Sequence, residues 1–244
     1  MTLLMHRSQD AATLDDICSI PLPKATRTYQ PVSHGHLSSM LIEMAENLLP
    51  NFSHTQSRFG LAAEGNKMFG VHTFTSANTS MGLSIGFRNS YDRSMSVGIA
   101  VGASVLVCEN LALCGDITIL RKHTRNVIRD MESSALAAIY RSQQAYDQIL
   151  GDAEAMRIEE ISDDQAYRML GLVYGRDIIT PRQIPVAQQE WRQPSHAEFE
   201  PRTAWSLYNA ITEALKSAPP QSIMERHLSL HTLFIEQYRI TRVF

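Results

Sequence analysis

The sequence predicts an α+β fold in which helices cover an antiparallel sheet of about four to six strands. Two observations carry this prediction. Between residues 81 and 107 apolar residues alternate with small or polar ones, which is the period of strands with one buried face. After residue 123 apolar residues recur every three or four positions, which is the period of helices that pack on a core.

The chain is predicted to form an N-terminal arm and one domain. Residues 1–30 are assigned to the arm, because prolines stand there among polar and small residues. Residues 31–244 are assigned to a single α+β domain, since 244 residues with 44% hydrophobic content can bury one sizeable core. Within that domain we expect a sheet-rich part at 55–121 and a helical part at 122–244.

The strands are predicted to begin with a hairpin that turns at Glu64, Gly65 and Asn66. Two longer strands follow, each with one buried face. The residues of that face are Met81, Leu83, Ile85, Phe87, Val97, Ile99, Val101 and Val105. Gly, Ser and Ala make up the opposite face, which favours close packing of a helix over a ligand surface. A last short strand is predicted at 117–121.

Two helices frame this sheet in the sequence. The first is predicted to run from Ser33 or His34 to Leu49, where a proline follows. A long helix is predicted to begin at Thr124, as its N-cap, and to stop at Gly151, because glycine is favoured just past a helix end.

Further helices fill the C-terminal part. Ser162 and Gln165 have the spacing of a capping box, which marks a helix start. Trp205 and Tyr208 lie on the apolar face of a later helix, so both are predicted to be buried.

Composition narrows the class of protein. The net charge of −3 and the pI near 6.3 argue against a surface coated with Lys and Arg for bulk nucleic-acid binding, although a local basic patch is compatible with them. Three cysteines without CxxC spacing indicate reduced thiols. No apolar run approaches the ~20 residues that span a bilayer, and no signal-peptide pattern is visible. We therefore expect a cytoplasmic protein with no membrane association.

The connection between the two long strands, residues 88–94, is unusually polar. Asn89, Ser90 and Asp92 suit a turn, so a solvated loop explains them. Arg88, Tyr91 and Arg93 do not help a turn form, and their planar or aromatic heads suit phosphate and base contacts (sequence RNSYDRS).

A second cationic cluster surrounds the predicted start of the long helix. Arg121, Lys122, His123 and Arg125 stand where the helix dipole disfavours positive charge. Either a bound phosphate or the chain's own carboxylates would balance them. Because the strand path reverses once between the two clusters, both are predicted to reach one end of the sheet and form a basic rim.

Enzyme and metal chemistry are weakly supported. Cys108 with His123 as its base would make a nucleophile, but no motif spacing supports the pair. His227 and His231 are four residues apart without the glutamate of a zinc-protease motif. No phosphate-binding loop or dinucleotide fingerprint occurs. We expect no enzymatic activity, no cofactor and no metal.

Three short motifs follow one another: RNSYDRS at 88–94, VCENL at 107–111 and KHT at 122–124. On these motifs, and on the stretch at 28–45, the chain resembles a family of phage- and plasmid-borne proteins catalogued as domain of unknown function 932. The resemblance covers residues 25–217. The matching positions are Asn89, Ser90, Asp92, Ser94, Val107, Cys108, Asn110, His123 and Thr124.

The chain departs from this family at one motif. Many members have His-Asp-Gly after Asn-Ser, where this chain has Tyr91, Asp92 and Arg93, so no role of that histidine transfers. The family implies a home on mobile elements or in their hosts, and it implies no established reaction.

A shorter likeness lies in GNKMFGVHTFTS at 65–76, which is similar to an Asn-x-Met-Phe-Gly element of single-strand annealing proteins of homologous recombination. Those proteins pair a twisted antiparallel sheet with helices and bind single strands in a basic groove.

These observations predict a mobile-element protein that binds nucleic acid, with single-stranded DNA favoured, in recombination or maintenance. A homo-oligomer is expected. The predicted contact residues are Arg88, Asn89, Tyr91, Arg93, Arg121, Lys122, His123 and Arg125. The alternative is a non-catalytic protein-interaction module, such as an inhibitor of a host defence system or a regulatory subunit, with host or phage proteins as partners. The acidic net charge of the chain and its eleven methionines favour that alternative.

Overall fold

A computed structural model describes residues 11–76, 81–105, 111–219 and 222–238. The α+β prediction is confirmed. The strands are β1 (Ala11–Ala12), β2 (Ser53–Ala62), β3 (Lys67–Thr75), β4 (Met81–Ser90), β5 (Val97–Val105) and β6 (Leu111–Arg121). The α-helices are α1 (Leu14–Ser19), α2 (His34–Leu48), α3 (Val127–Tyr140), α4 (Ser142–Ile158), α5 (Asp163–Gly175), α6 (Ile184–Arg192), α7 (Ala204–Leu215) and α8 (Ile223–Gln237).

The sheet is a simple meander. Its order is β1-β2-β3-β4-β5-β6, and every neighbouring pair is antiparallel. The β2–β3 hairpin turns where it was predicted, at Ala63, Glu64 and Gly65, all of which have positive φ. Because each strand returns beside the previous one, the loop after β4 and the chain after β6 lie at the same end of the sheet.

The predicted buried face of β4 and β5 forms the centre of the core. Its seven members from Met81 to Val101 are no more than 1% exposed, and the side chain of Val105 lies outside the described part of the chain. Helices α2, α3 and α4 cover this face: Ser38 of α2 meets His72 of β3, and Val101 packs against Ala138 and Ala145.

The opposite face carries α8, as the glycines and alanines there predicted. Arg88 reaches across this face to Glu225 of α8. A Cβ added to Gly98 would approach the Arg88 side chain to 3.1 Å and that of Leu120 to 3.2 Å. Glycine at position 98 therefore makes room for the arginine side chain over the sheet.

Three details differ from the sequence prediction. The long helix is broken at Arg141, where the Ser142 hydroxyl donates to the Ile139 carbonyl (2.6 Å) and competes with helical pairing. Gly151 consequently lies inside α4 and does not end a helix. The segment before α3 is a turn, so Asn126, not Thr124, is the N-cap.

The predicted N-terminal arm contains ordered structure. β1 extends the sheet beside β2, and α1 is capped by Thr13, whose hydroxyl accepts from the Asp16 N–H while its own N–H donates to the Asp16 carboxylate. Ile17 of α1 is 1% exposed in the core. The capping-box prediction at Ser162 and the burial of Trp205 and Tyr208, by contrast, are confirmed.

Candidate nucleic-acid interface

An open pocket lies at the end of the sheet where the β4–β5 loop meets the chain after β6. Pairing of Val97 with Arg121 sets the two segments side by side. The pocket has about 730 Å³ of empty space that is open to solvent. It is lined by Thr28, Tyr29, Arg93, Ser94, Met95, Ser96, Lys122, His123 and Thr124. Hydroxyls and cationic groups dominate this lining, and no carboxylate belongs to it.

Half of the predicted loop is not a loop. Arg88 and Asn89 are in β4, and Tyr91 directly follows it. Arg88 is 7% exposed and pairs with Glu225 at 2.5 Å. The Asn89 amide is buried and donates to the Val32 carbonyl (2.6 Å) and to Nδ1 of His34 (3.0 Å). These positions are therefore interior, and the prediction that they form a nucleic-acid contact surface is corrected.

The side chain of Tyr91 is also occupied by contacts within the protein. Its ring stacks on His34 at 3.9 Å with a 6° angle between the planes, and its hydroxyl accepts from the His34 backbone N–H (3.0 Å). Tyr29 donates its own hydroxyl to the Tyr91 carbonyl (3.1 Å). A base has no access to the face of Tyr91 that His34 covers.

The segment before α2 explains this burial. It crosses the end of the sheet, with Tyr29 beside the β4–β5 loop and the Gln30 N–H donating to the His123 carbonyl (3.1 Å). The partners of Asn89 and Tyr91 are thus 55 to 62 residues away in the sequence. A local sequence pattern therefore does not identify these partners.

The second half of the loop is exposed, as predicted. The Asp92 carboxylate accepts from the Ser94 N–H (2.9 Å) and hydroxyl (2.6 Å), and it lies 3.6 Å from Lys67. Arg93 adopts the left-handed conformation, with φ of +65°. Its guanidinium carbon lies 4.3 Å from the centroid of the Tyr29 ring, in a cation–π contact at the pocket.

The three other predicted cations lie at the end of β6 and just after it. Arg121 donates to the Leu120 carbonyl and to the Ser134 hydroxyl (2.8 Å), Lys122 lines the pocket, and Arg125 is exposed in the turn before α3. Within the described part of the chain, neither these three residues nor Arg93 forms an ion pair. We call these four residues the basic rim.

His123 differs from the rim because it is buried. It is 8% exposed and its ring lies 5.5 Å from that of Tyr29. Among the described residues, neither ring nitrogen has a partner in hydrogen-bond geometry. Burial lowers the pKa of His123, and the nearby carbonyls of Gln30 and Met95 offset only part of that effect. The ring is therefore neutral near pH 7 in the free protein.

Residues carrying the family resemblance meet here. Ser90 exchanges hydrogen bonds with the backbone of Met95 at 3.0 and 3.1 Å, which closes the loop, while Ser94, His123 and Thr124 line the pocket. Sequence reasoning missed Tyr29 as a member of the site, although it lies in the stretch on which the resemblance rests. Cys108 and Asn110 lie outside the described residues, so the Cys108–His123 pairing has no structural description.

The other histidine pair is part of the helical core. His227 and His231 of α8 are buried, and Nε2 of His231 lies 3.0 Å from Oδ2 of Asp152 in α4. Among the residues that the structure describes, no three His, Cys, Asp or Glu side chains cluster as ligands of a metal ion.

Comparison with protein families gives one match. The family described as Domain of unknown function (DUF932) matches residues 24–229, which includes the pocket, α2 and most of the helical part. Neither the curated proteins nor the solved structures contain a match. In the described ranges, no helix combines the length and the apolar character needed to cross a bilayer.

Proposed function

This chain belongs to the DUF932 family, and we propose that it binds nucleic acid, preferentially single-stranded, through the basic rim. One observation carries the proposal. The β4–β5 loop and the chain after β6 supply Arg93 and Lys122 to the same open pocket, whose lining has hydroxyls and no carboxylate. Such a lining suits the phosphates of a nucleic-acid backbone.

Local charge favours phosphate despite the net charge of −3. The four rim cations are without acidic partners among the described residues. The nearby carboxylates are engaged elsewhere: Asp92 with Lys67, at 3.6 Å, and Asp130 with Arg129, also at 3.6 Å. An incoming phosphate therefore meets uncompensated positive charge.

The geometry at Arg93 favours single strands. Its guanidinium already lies on the Tyr29 ring, and the outer face of a planar guanidinium is a surface on which an unpaired base can stack. In a duplex the bases are stacked on one another, so only the phosphate contacts would remain. A single strand uses both the charge and the stacking surface.

The family resemblance supports a setting for this activity. We place the protein in recombination or maintenance of a phage- or plasmid-type element, acting in the cytoplasm and as a homo-oligomer. The short likeness to single-strand annealing proteins at 65–76 agrees with that setting.

Fluorescence anisotropy of a labelled oligonucleotide at several salt concentrations tests the proposal. About three or four phosphate contacts give a log–log salt slope of roughly −2 to −3 for a single strand. Arg93→Ala/Lys122→Ala should weaken binding and make the slope shallower by about 1.4, since each contact contributes about 0.7. The matched control is Arg168→Ala/Arg182→Ala, which removes two exposed cations of the helical part.

Two outcomes oppose the proposal. Equal losses of oligonucleotide affinity in both double variants would show non-specific attraction and would contradict the assignment of the basic rim as the binding site. Absence of binding at low salt would remove the function itself. The interaction module would then be favoured, and a nuclease-resistant, stoichiometric protein partner recovered from host cells would establish it.

A further inference from the structure

The pocket is lined by one buried polar group, the His123 ring, that does not belong to the basic rim. His123 is more than nine-tenths buried and lines the pocket. In the described part of the chain neither ring nitrogen has a partner at hydrogen-bond distance and angle, although the carbonyls of Gln30 and Met95 lie near the ring. Buried polar groups in folded proteins are nearly always paired, so an exception calls for a physical reason.

Neighbouring His34 shows what a purely structural histidine looks like here. Its Nδ1 accepts from the Asn89 amide at 3.0 Å, and its Nε2 donates to the Gly65 carbonyl at 3.0 Å. Both nitrogens are satisfied in the neutral ring, and burial lowers its pKa to about 4. His34 and His123 lie at the same end of the sheet, but only His123 lines the open pocket.

We propose that this pocket binds one phosphate group of the nucleic-acid strand and that His123 takes up a proton when the phosphate binds. The inference rests on the proposed function, because it assigns a ligand group and a proton to the same site. His123 is then the buried charge of the phosphate site, while Arg93 and Lys122 supply the exposed charges.

The surroundings of His123 fit an imidazolium once an anion is present. A protonated ring has two N–H donors, and the carbonyls of Gln30 and Met95 face the ring. Without an anion in the pocket, the positive charge of a protonated His123 is unfavourable, because the ring is desolvated and lies beside other cations. An anion in the pocket reverses that balance, since it attracts all three positive groups at once.

The ionisable groups around the ring come from four segments. Lys122 is on its own segment, Arg93 is on the β4–β5 loop, Tyr29 precedes α2, and His34 begins α2. Asp92, on the same loop as Arg93, is held by Lys67 and Ser94. Burial raises the pKa of Tyr29, which keeps its phenol proton, and lowers the pKa of His34 to about 4, so proton uptake on binding between pH 5.5 and 8 is assigned to His123.

Sulfate is the first probe, because its charge is constant over this range, whereas a phosphate monoester titrates near pH 6. Sulfate affinity is measured by calorimetry at constant ionic strength from pH 5.5 to 8, in two buffers of different ionisation enthalpy. We expect uptake of up to one proton and an affinity that rises up to tenfold per unit fall in pH. The NMR signal of the His123 ring should move towards its protonated position when sulfate is added at pH 7.

The variant His123→Asn should retain weak sulfate binding at pH 8 and lose the rise at low pH. His36→Asn, at an exposed position of α2, is the matched control and should behave like the wild type. If His123→Asn does not fold, the NMR titration of the wild-type protein decides the question without it.

The oligonucleotide, whose diester phosphates also keep a constant charge, separates this inference from the proposed function. Oligonucleotide binding with no proton uptake, and with the His123 signal unmoved by either ligand, would overturn the inference and leave the proposed function intact. Sulfate binding with proton uptake, but no oligonucleotide binding, would keep the phosphate site and overturn the nucleic-acid function. Failure of both ligands to bind would overturn both.

Discussion

Two buried histidines, one in the helical part and one at the end of the sheet, have different surroundings. His231 lies in the helical part, 3.0 Å from the Asp152 carboxylate, and both residues are buried. His123 lies at the end of the sheet and lines a pocket, where the Tyr29 ring and the carbonyls of Gln30 and Met95 lie near its ring. The first histidine has an acidic partner inside the fold, whereas no carboxylate pairs with the second in the part of the chain that the structure describes. We infer that the first stabilises the structure and that the second serves a ligand.

The largest expected effect tests the structural half of this comparison. Asp152→Ala leaves His231 buried without its carboxylate, and we expect the free energy of unfolding to fall by about 3 to 5 kcal/mol. His123→Asn should lower it by only about 1 kcal/mol, because among the described residues neither ring nitrogen has a hydrogen bond to lose. Urea denaturation of both variants measures the difference. Equal losses would contradict the division of roles.

Acid should destabilise the protein through histidines that the fold keeps neutral. Burial lowers the pKa of His34 to about 4 and that of His72 to about 3. Each binds its proton more weakly in the folded chain, so this stability is complete above an unfolded pKa of about 6.5 and is lost as pH falls. At pH 5 the loss should be about 2 kcal/mol per histidine, roughly 4 kcal/mol in total.

Chemical denaturation between pH 7 and pH 5 measures that loss. His72→Gln should remove about half of the pH dependence, while His36→Gln, at an exposed position, should leave it unchanged. A pH dependence that is undiminished after replacement of His72 would assign the loss to other groups. Saturating sulfate should also restore part of the stability below pH 6.5 if His123 binds its proton together with the anion.

The smallest effect tests whether the two regions are independent. Gly151 precedes Asp152 inside α4, and nothing lies within 4 Å of the position that a Cβ would take. Gly151→Ala should therefore raise the free energy of unfolding by about 0.5 to 1 kcal/mol through helix propensity. Its affinity for sulfate and oligonucleotide should equal that of the wild type. A changed affinity would mean that α4 and the pocket are coupled.

The sequence was sufficient wherever the determining interactions are local. Alternation of large and small residues predicted β4 and β5 together with the face that each buries, and the spacing of Ser162 and Gln165 predicted the start of α5. The break at Arg141 was missed, because a serine hydroxyl there competes with the helix and no proline or glycine marks the position.

The candidate site was predicted only in part for a related reason. The meander placed Arg93 and Lys122 at one end of the sheet, and both line the pocket. Asn89 was assigned to the surface because a polar residue after an apolar strand usually is exposed. Its burial depends on Val32 and His34, which lie 57 and 55 residues away, and a single sequence does not reveal such pairs.

The left-handed conformation of Arg93 carries a cost in folding stability. A residue with a Cβ at φ of +65° is strained by roughly 1 kcal/mol, whereas glycine adopts this conformation freely. The backbone of the β4–β5 loop therefore does not require an arginine at position 93. The positive charge that Arg93 brings to the pocket is kept at the expense of some stability of the loop.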